Sequence, residues 1–342
     1  MASLTHNVII GNGSAGNGAA ITLRERDPDC RITIITMSSL PFYNRYDLPR
    51  IFEGYDDWRE ILAHPPSYYD EQAITLRRHS QVTEVDSRTQ TISFAHNEKM
   101  HYDRLLVCAG GRGYLPEQLS DYRHLMHGFG SYEAAISVYE ALPKGGSAVI
   151  LGGDMIGLDL GRTLVATGYR VVVLADEFTF WPHRIASDER AGYLKALEHM
   201  GMEVADETSP VSIEAGGKKE PAHRVVLEDG SGVAADVVLP FYGLVPLVEF
   251  MLRSGVDIER GLLVDPQLRT NNENIWAAGD VCQIWSDEEK AYRFFYGWSN
   301  VRAMGEVAAR NMTGAAQAFM GTQDERLRID EKGDIRSPYW EH

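Results

Sequence analysis

Cysteine is scarce: Cys30, Cys108 and Cys282 are the only three in 342 residues, and no CxxC or CxxxxC spacing occurs. That excludes a disulfide framework, a local redox disulfide and an iron–sulfur motif. Lysine is scarce too, 7 against 26 arginines, which favours specific guanidinium contacts over a generic solubilising surface. Positive charge is outweighed overall, 49 acids to 33 bases for a formal charge of −16. A partner that needs a broad cationic face, such as nucleic acid or anionic lipid, is therefore not expected. No apolar run is long enough to span a bilayer. The opening residues lack the basic and apolar regions of a signal peptide, so a cytoplasmic soluble protein is expected. No metal site is expected either.

What is present is a globular composition, 44% hydrophobic with 32 glycines, at a length that suggests about two domains. One arrangement occurs twice. Residues 7–10 form a short apolar strand ending in Gly11-Asn-Gly13-Ser-Ala-Gly16; a small-residue helix and a second strand at 32–35 follow. In this βαβ setting a GxGxxG reads as a dinucleotide turn. The first glycine permits the tight turn, the second admits a pyrophosphate against the backbone, and the third lets helix and strand pack closely. Free N–H groups at the helix start then face the phosphates.

The second copy has a strand at 148–151, the turn Gly152-Gly-Asp154-Met-Ile-Gly157, a helix at 158–167 and a strand at 171–174. Its middle position is Asp154, where the first copy has Gly13. A carboxylate there adds bulk and like charge where pyrophosphate should sit. Two outcomes remain open: Asp154 turns away to cap its own helix, or the domain binds no nucleotide. β-Rich stretches follow each copy, at 74–107 and 201–239. Late in the chain a short strand delivers Gly279 and Asp280 to its C-terminal end, and a helical composition over 294–312 stops at Gly314.

Two dinucleotide motifs about 140 residues apart, a Tyr102-to-Gly110 strand closing a meander, and Asn274-Ile-Trp-Ala-Ala-Gly279-Asp280 occur in a fixed order. This pattern resembles the FAD-dependent pyridine nucleotide-disulfide oxidoreductases. With Ser39-Leu-Pro-Phe-Tyr-Asn-Arg45 it looks closest to their nitrite-reductase and rubredoxin-reductase subgroup. The resemblance spans residues 6 to about 314. It implies an α/β fold of two Rossmann-like dinucleotide-binding domains, the second inserted in the first, each with a small β-meander. The expected division is 1–115 with 236–314 for FAD, 116–235 for the NAD-type domain, and 315–342 as a surface extension.

The resemblance also implies roles. Gly11, Gly13, Ser14, Ala15 and Gly16 would hold the FAD pyrophosphate, with Val82, Ala109 and Gly110 also touching the cofactor. Asn44 and Arg45 would approach the flavin, and Asp280 would bind its ribityl or phosphate region. Gly152, Asp154 and Gly157 mark the nicotinamide nucleotide turn. Arg50 falls where many relatives have a lysine beside the flavin, and Asp159 where they have its carboxylate partner, so an Arg50–Asp159 pair is expected as the catalytic element. The acid that holds the adenosine ribose in relatives falls on Ser38, a bare hydroxyl. The acid after the second strand of the NAD domain falls on Ala175, with Asp176 one place later.

No cysteine lies near residues 38–43, so a dithiol mechanism is excluded. The C-terminal dimerisation domain of relatives has no counterpart here, and the flavin face is expected to be covered by a partner or by self-association. His183 beside Trp181 and Pro182 reads as loop packing, and Cys282 as an inert small residue. The run Phe294, Phe295, Tyr296 and Trp298 suits a core, a partner contact or the flavin neighbourhood equally.

The leading expectation is an FAD-containing oxidoreductase that passes electrons between NAD(P)H and a redox protein or iron–sulfur subunit. The alternative is a flavin-bearing electron-transfer or structural subunit of a larger complex whose NAD-type domain no longer binds nicotinamide. A small-molecule monooxygenase or oxidase is a weaker reading, since no substrate motif supports it.

Overall fold

The computed structural model describes residues 4–55, 57–206, 208–216, 221–321 and 326–340. They form two compact units. The first comprises 1–44, 62–112 and 245–323; the second comprises 45–61, 113–244 and 324–342. No helix among the described residues is long and apolar enough to cross a membrane.

The strands of the first unit are apolar on both faces, as a parallel sheet covered on each side requires. His6–Ile10 lies at the centre, flanked by Arg31–Ile35 and then Ile74–Arg77 on one side. Arg104–Val107 and then Ile275–Ala277 lie on the other, and all five run parallel. Val8 and Ile9, together with Ile34, Leu105, Leu106 and Val107, are fully buried. The chain therefore winds outward one way and returns to wind the other, which opens a crevice beyond the carboxyl ends of His6–Ile10 and Arg104–Val107. Between the halves, Val82–Asp86, Thr91–Phe94 and Lys99–His101 make the expected antiparallel meander.

The first-motif helix, Ser14–Arg26, packs against the late helix Trp298–Met312. The backbones approach so closely that a Cβ on Gly305 would stand 2.1 Å from the carbonyl oxygen of Ala15. The sequence suggested helix from residue 294. The helix instead starts at Trp298, because Gly297 at φ +89° turns the chain just before it.

The second unit repeats the plan with four parallel strands, in the order Glu203–Ala205, Arg170–Ala175, Ser147–Gly152, Val237–Phe241. Its switch point lies between Ser147–Gly152 and Val237–Phe241, so residues 152–154 and 242–243 share one crevice. Pro210–Ala215, His223–Leu227 and Gly232–Ala235 form its meander. The charged tail is more than a surface extension: Leu327, Ile335, Ser337, Tyr339 and Trp340 are all buried.

Gly305→Ala tests the helix contact in the first unit. Its methyl group meets backbone that cannot rotate away, so urea melts should show a loss of roughly 1–3 kcal/mol. An unchanged midpoint would contradict the close approach.

Candidate functional site

In the first crevice, Gly11 adopts φ +111°, and a Cβ there would stand 2.1 Å from the carbonyl oxygen of Cys108. A Cβ on Gly16 would stand 2.0 Å from the carbonyl oxygen of Gly11. These two glycines thus serve the turn and its packing against the neighbouring strand. Gly13 is the residue that starts the helix, extended at φ −89° and ψ −168°. No side chain among the described residues caps that helix, and its first turn carries no acid. Its orphan N–H groups and positive dipole end therefore remain for a ligand anion.

Beside this turn, Tyr69 is buried; its hydroxyl donates to Asn17 Oδ1 at 2.8 Å and accepts the Phe42 N–H at 3.3 Å. Burial pushes the Tyr69 phenol up, so it stays protonated as a donor. The neighbouring Asn12 Nδ2 is buried without a hydrogen-bond partner among the described residues. An orphaned amide donor next to an uncapped helix fits a phosphate-bearing dinucleotide such as FAD.

Most of the other first-unit residues follow the carboxyl ends of the parallel strands, while Val82 belongs to the separate meander. Ala15 is buried against Gly279, whose φ of +84° marks the turn after Ile275–Ala277. Asp280 follows it. Ala109 and Gly110 follow Arg104–Val107, with Gly110 at φ +69° and open space around its Cα. Val82 stands at the start of the meander, half-buried. Ser38 Oγ accepts the Leu40 N–H at 3.1 Å, so this hydroxyl is already committed to a turn.

The second crevice has the same shape with different chemistry. Gly152 at φ +79° lies so close to Phe241 that a Cβ would stand 2.6 Å from its carbonyl oxygen, and a Cβ on Gly157 would stand 2.4 Å from its ring. Asp154 starts the second-motif helix, Met155–Ala166, and is 3% exposed. Its Oδ1 accepts the N–H groups of Ile156 (3.1 Å) and Gly157 (2.9 Å), and its Oδ2 accepts that of Gly243 (2.9 Å) across the switch point. The Met155 N–H donates to Trp181 O at 2.9 Å, and the N–H groups of Gly153 and Asp154 donate to Phe241 O. Every donor of the turn is engaged by the protein itself. Of the two outcomes left open for Asp154, the carboxylate takes the cap and thereby fills the anion site.

A loop holds this arrangement from above. Thr179 Oγ1 donates to Gly152 O, and the Phe180 N–H donates to Gly153 O at 2.9 Å. Phe180 is fully buried at φ +74°, a conformation costing a bulky residue about 1–3 kcal/mol. Asp176, at the end of Arg170–Ala175, accepts the Phe178 N–H at 2.7 Å, and burial raises its carboxyl above the ordinary range. His183 is held by loop packing: the ring of Tyr339 stands 5.1 Å away, and burial lowers the imidazole to about 4, leaving it neutral.

Arg50 and Asp159, expected as a pair, each make a nearby contact of their own. Arg50 lies 4.0 Å from Asp47 and 4.0 Å over the Tyr55 ring. Asp159, 4% exposed, accepts from Arg162 Nε at 2.6 Å. Arg162 is one helical turn from Asp159 on the same face, whereas Arg50 belongs to a separate 3-10 segment with its own acid at i−3. Arg45 and Arg50 both belong to the second unit; Arg45 Nε donates to Gly130 O at 3.1 Å. Asn44 is the last residue of the first unit before this excursion.

All three cysteines are buried. Burial pushes the thiols of Cys30, Cys108 and Cys282 up, so none supplies a thiolate near neutral pH. Gly243, Thr179 and Phe180, which close the second turn, escaped the sequence reading, and Trp181 entered it only as a neighbour of His183. Their signal was faint: an aromatic-rich loop following the strand after a glycine turn.

Two doubly wound units, each with a glycine turn at its switch point, define a two-dinucleotide-fold oxidoreductase. The pattern of the pyridine nucleotide-disulphide oxidoreductase family matches residues 5–307, and the chain belongs to that family. It is 26% identical over 278 residues to nitric oxide reductase FlRd-NAD(+) reductase of Aliivibrio fischeri, covering 81% of this chain and 72% of that protein. It is 30% identical over 331 residues to human apoptosis-inducing factor 3, covering 94% of this chain but only 52% of that longer protein. Rubredoxin-NAD(+) reductase of Pseudomonas putida is 26% identical over 279 residues, 80% of this chain and 71% of the relative. Among solved structures, a ferredoxin reductase from Rhodopseudomonas palustris superposes with a TM-score of 0.83 at 23% identity, covering 92% of this chain and 78% of that one, a likeness of fold.

Asp154 carries a pH test. Burial raises its carboxyl from the ordinary 3.8 to about 6, while the three N–H donors hold it from rising further. With the folded value raised, its contribution to stability is complete below pH 3.8 and is lost as pH rises through about 6. Relative to Asp154→Asn, which does not titrate, the wild type should lose about 1 kcal/mol between pH 5 and 8. Chemical denaturation at both pH values measures this, and a pH-independent difference would show the carboxyl is not perturbed.

Proposed function

We propose that the chain is an FAD-containing reductase that passes electrons from NAD(P)H to a protein redox partner of rubredoxin or ferredoxin type. The observation that carries this reading is the uncapped start of Ser14–Arg26 beside the orphaned Asn12 amide. Family membership supports FAD there and NAD(P)H as the electron source. The named functions of the relatives from Aliivibrio fischeri and Pseudomonas putida support an acceptor that is itself a redox protein.

A bound flavin would accept hydride from NAD(P)H and release electrons one at a time. The protein's task is to bind and orient. The N–H groups at Ser14, Ala15 and Gly16 and the Asn12 amide would hold the pyrophosphate, with Gly13 leaving room for it. Gly110, Gly279 and Asp280 would hold the remainder of the FAD along the sheet edge. With every thiol buried and protonated, the chain's own residues supply no dithiol relay. A cytoplasmic setting and an iron–sulfur acceptor belong to the same proposal.

One observation favours the alternative. The second turn is closed by Asp154 and Trp181, which suits a flavin-bearing electron-transfer subunit that takes no nicotinamide nucleotide. Anaerobic mixing with NADH or NADPH separates the two. Bleaching of the flavin absorbance supports the reductase; a flavin reduced only by dithionite supports the subunit.

Gly13→Asp tests the FAD site itself. Gly13 and Asp154 have similar extended backbones, so an aspartate at 13 can cap its helix as Asp154 does. The variant should fold but purify colourless, and stoichiometric FAD in it would contradict the site.

A further inference from the structure

A dinucleotide fold recognises the ADP half of its ligand at two places: the pyrophosphate at the helix start, and the adenosine ribose on an acid after the second strand. In the second unit the protein occupies both. The N–H groups of Gly153 and Asp154 donate to Phe241 O, that of Met155 to Trp181 O, and those of Ile156 and Gly157 to Asp154 Oδ1. Asp154 Oδ2 reaches over the switch point to the Gly243 N–H. Trp340 Nε1 donates to Met155 O at 2.9 Å, so the first helical residue is engaged at both of its backbone polar groups.

The ribose end is committed in the same way. Asp176 Oδ1 accepts the Phe178 N–H at 2.7 Å, and the Asp176 N–H donates to Thr179 Oγ1 at 2.8 Å. Residues 176–181 then cross the turn, and a Cβ on Gly243 would stand 2.8 Å from Trp181 Cδ2, which puts the indole against the switch-point backbone. A phosphate arriving here would find its donors taken and would meet the like charge of an ionised Asp154. The nicotinamide half of a dinucleotide draws on neither place. The reaction needs only that half: a dihydronicotinamide gives one hydride, with its electron pair, to oxidised flavin and is left as a pyridinium cation.

We infer that the electron donor is recognised by its dihydronicotinamide end alone, because Asp154 and residues 176–181 shut the second unit to the ADP half. A phosphate-free donor, reduced nicotinamide riboside, should therefore serve as well as NADH. This rests on the reading of the chain as an NAD(P)H-dependent flavin reductase. Asp154 is the residue that sets the specificity, since its carboxylate stands where the pyrophosphate would.

Two measurements on the FAD-loaded full chain test this, each on the wild type, Asp154→Gly and Asp154→Ser. The first is isothermal titration with ADP, which involves no electron transfer. The wild type should show no binding, and Asp154→Gly, which frees the N–H groups of Ile156, Gly157 and Gly243, should bind ADP at least about tenfold more tightly. The second is anaerobic flavin bleaching by NADH and by reduced nicotinamide riboside. Their half-saturating concentrations should agree within about threefold in the wild type, and Asp154→Gly should shift the ratio about tenfold towards NADH. Asp154→Ser, a shorter and neutral cap, should fall between and serves if the glycine variant does not fold. ADP binding by the wild type, or NADH preferred more than about tenfold there, overturns the inference and leaves the reductase reading standing. So does an ADP affinity and donor ratio that neither variant changes. A flavin that neither donor bleaches, but dithionite does, overturns the reductase reading and the inference with it.

Discussion

The orphan N–H groups at the start of a helix are the constraint on which both halves of this molecule turn. Four donors at each helix start have no partner within the helix, and burial makes leaving them unpaired costly. The two units meet this requirement in opposite ways. Behind Gly13 the donors are left open, with Asn12 Nδ2 orphaned beside them. Behind Asp154 a buried carboxylate takes two of them and reaches Gly243 on the far side of the crevice, while Trp181 takes a third. One fold is thus prepared for an anion, and its duplicate carries its own.

Much follows from that asymmetry. An internal carboxylate lets the loop carrying Thr179 and Phe180 close down on the glycine turn, since no phosphate has to fit between them. The closed turn in turn gives Trp340 and Tyr339 a surface on which to rest. In the first unit the same place stays clear, and the small residues Ala15, Gly279 and Gly305 bring the late helix close without filling it. Electron transfer through a flavin asks little more of the protein than this. A cofactor must be held firmly, and reactive thiols must be kept out, which the burial of Cys108 and Cys282 achieves.

The sequence made the repeated βαβ units and the first glycine turn legible, because strand, glycines and helix lie within one short window. Asp154 as a cap was legible as one of two open outcomes, since an aspartate at a helix start readily accepts its free N–H groups. The Arg162 contact of Asp159 was not, because a resemblance assigns partners across long separations and does not look for a nearer one. Arg162 was in plain view at i+3 on the same helix. The docking of Trp340 was hidden by the charged composition of the tail around it. Two adjacent aromatics in so polar a stretch were the only hint, and what they bury against depends on tertiary contacts.

Native mass spectrometry of the gently purified full chain addresses the asymmetry most directly, because it counts the dinucleotides each chain retains. The expected result is one FAD per chain and no co-purified nicotinamide nucleotide, with the open helix start filled and the capped one empty. A chain that carries NAD(H) or NADP(H) firmly and no FAD would contradict the assignment of the two sites.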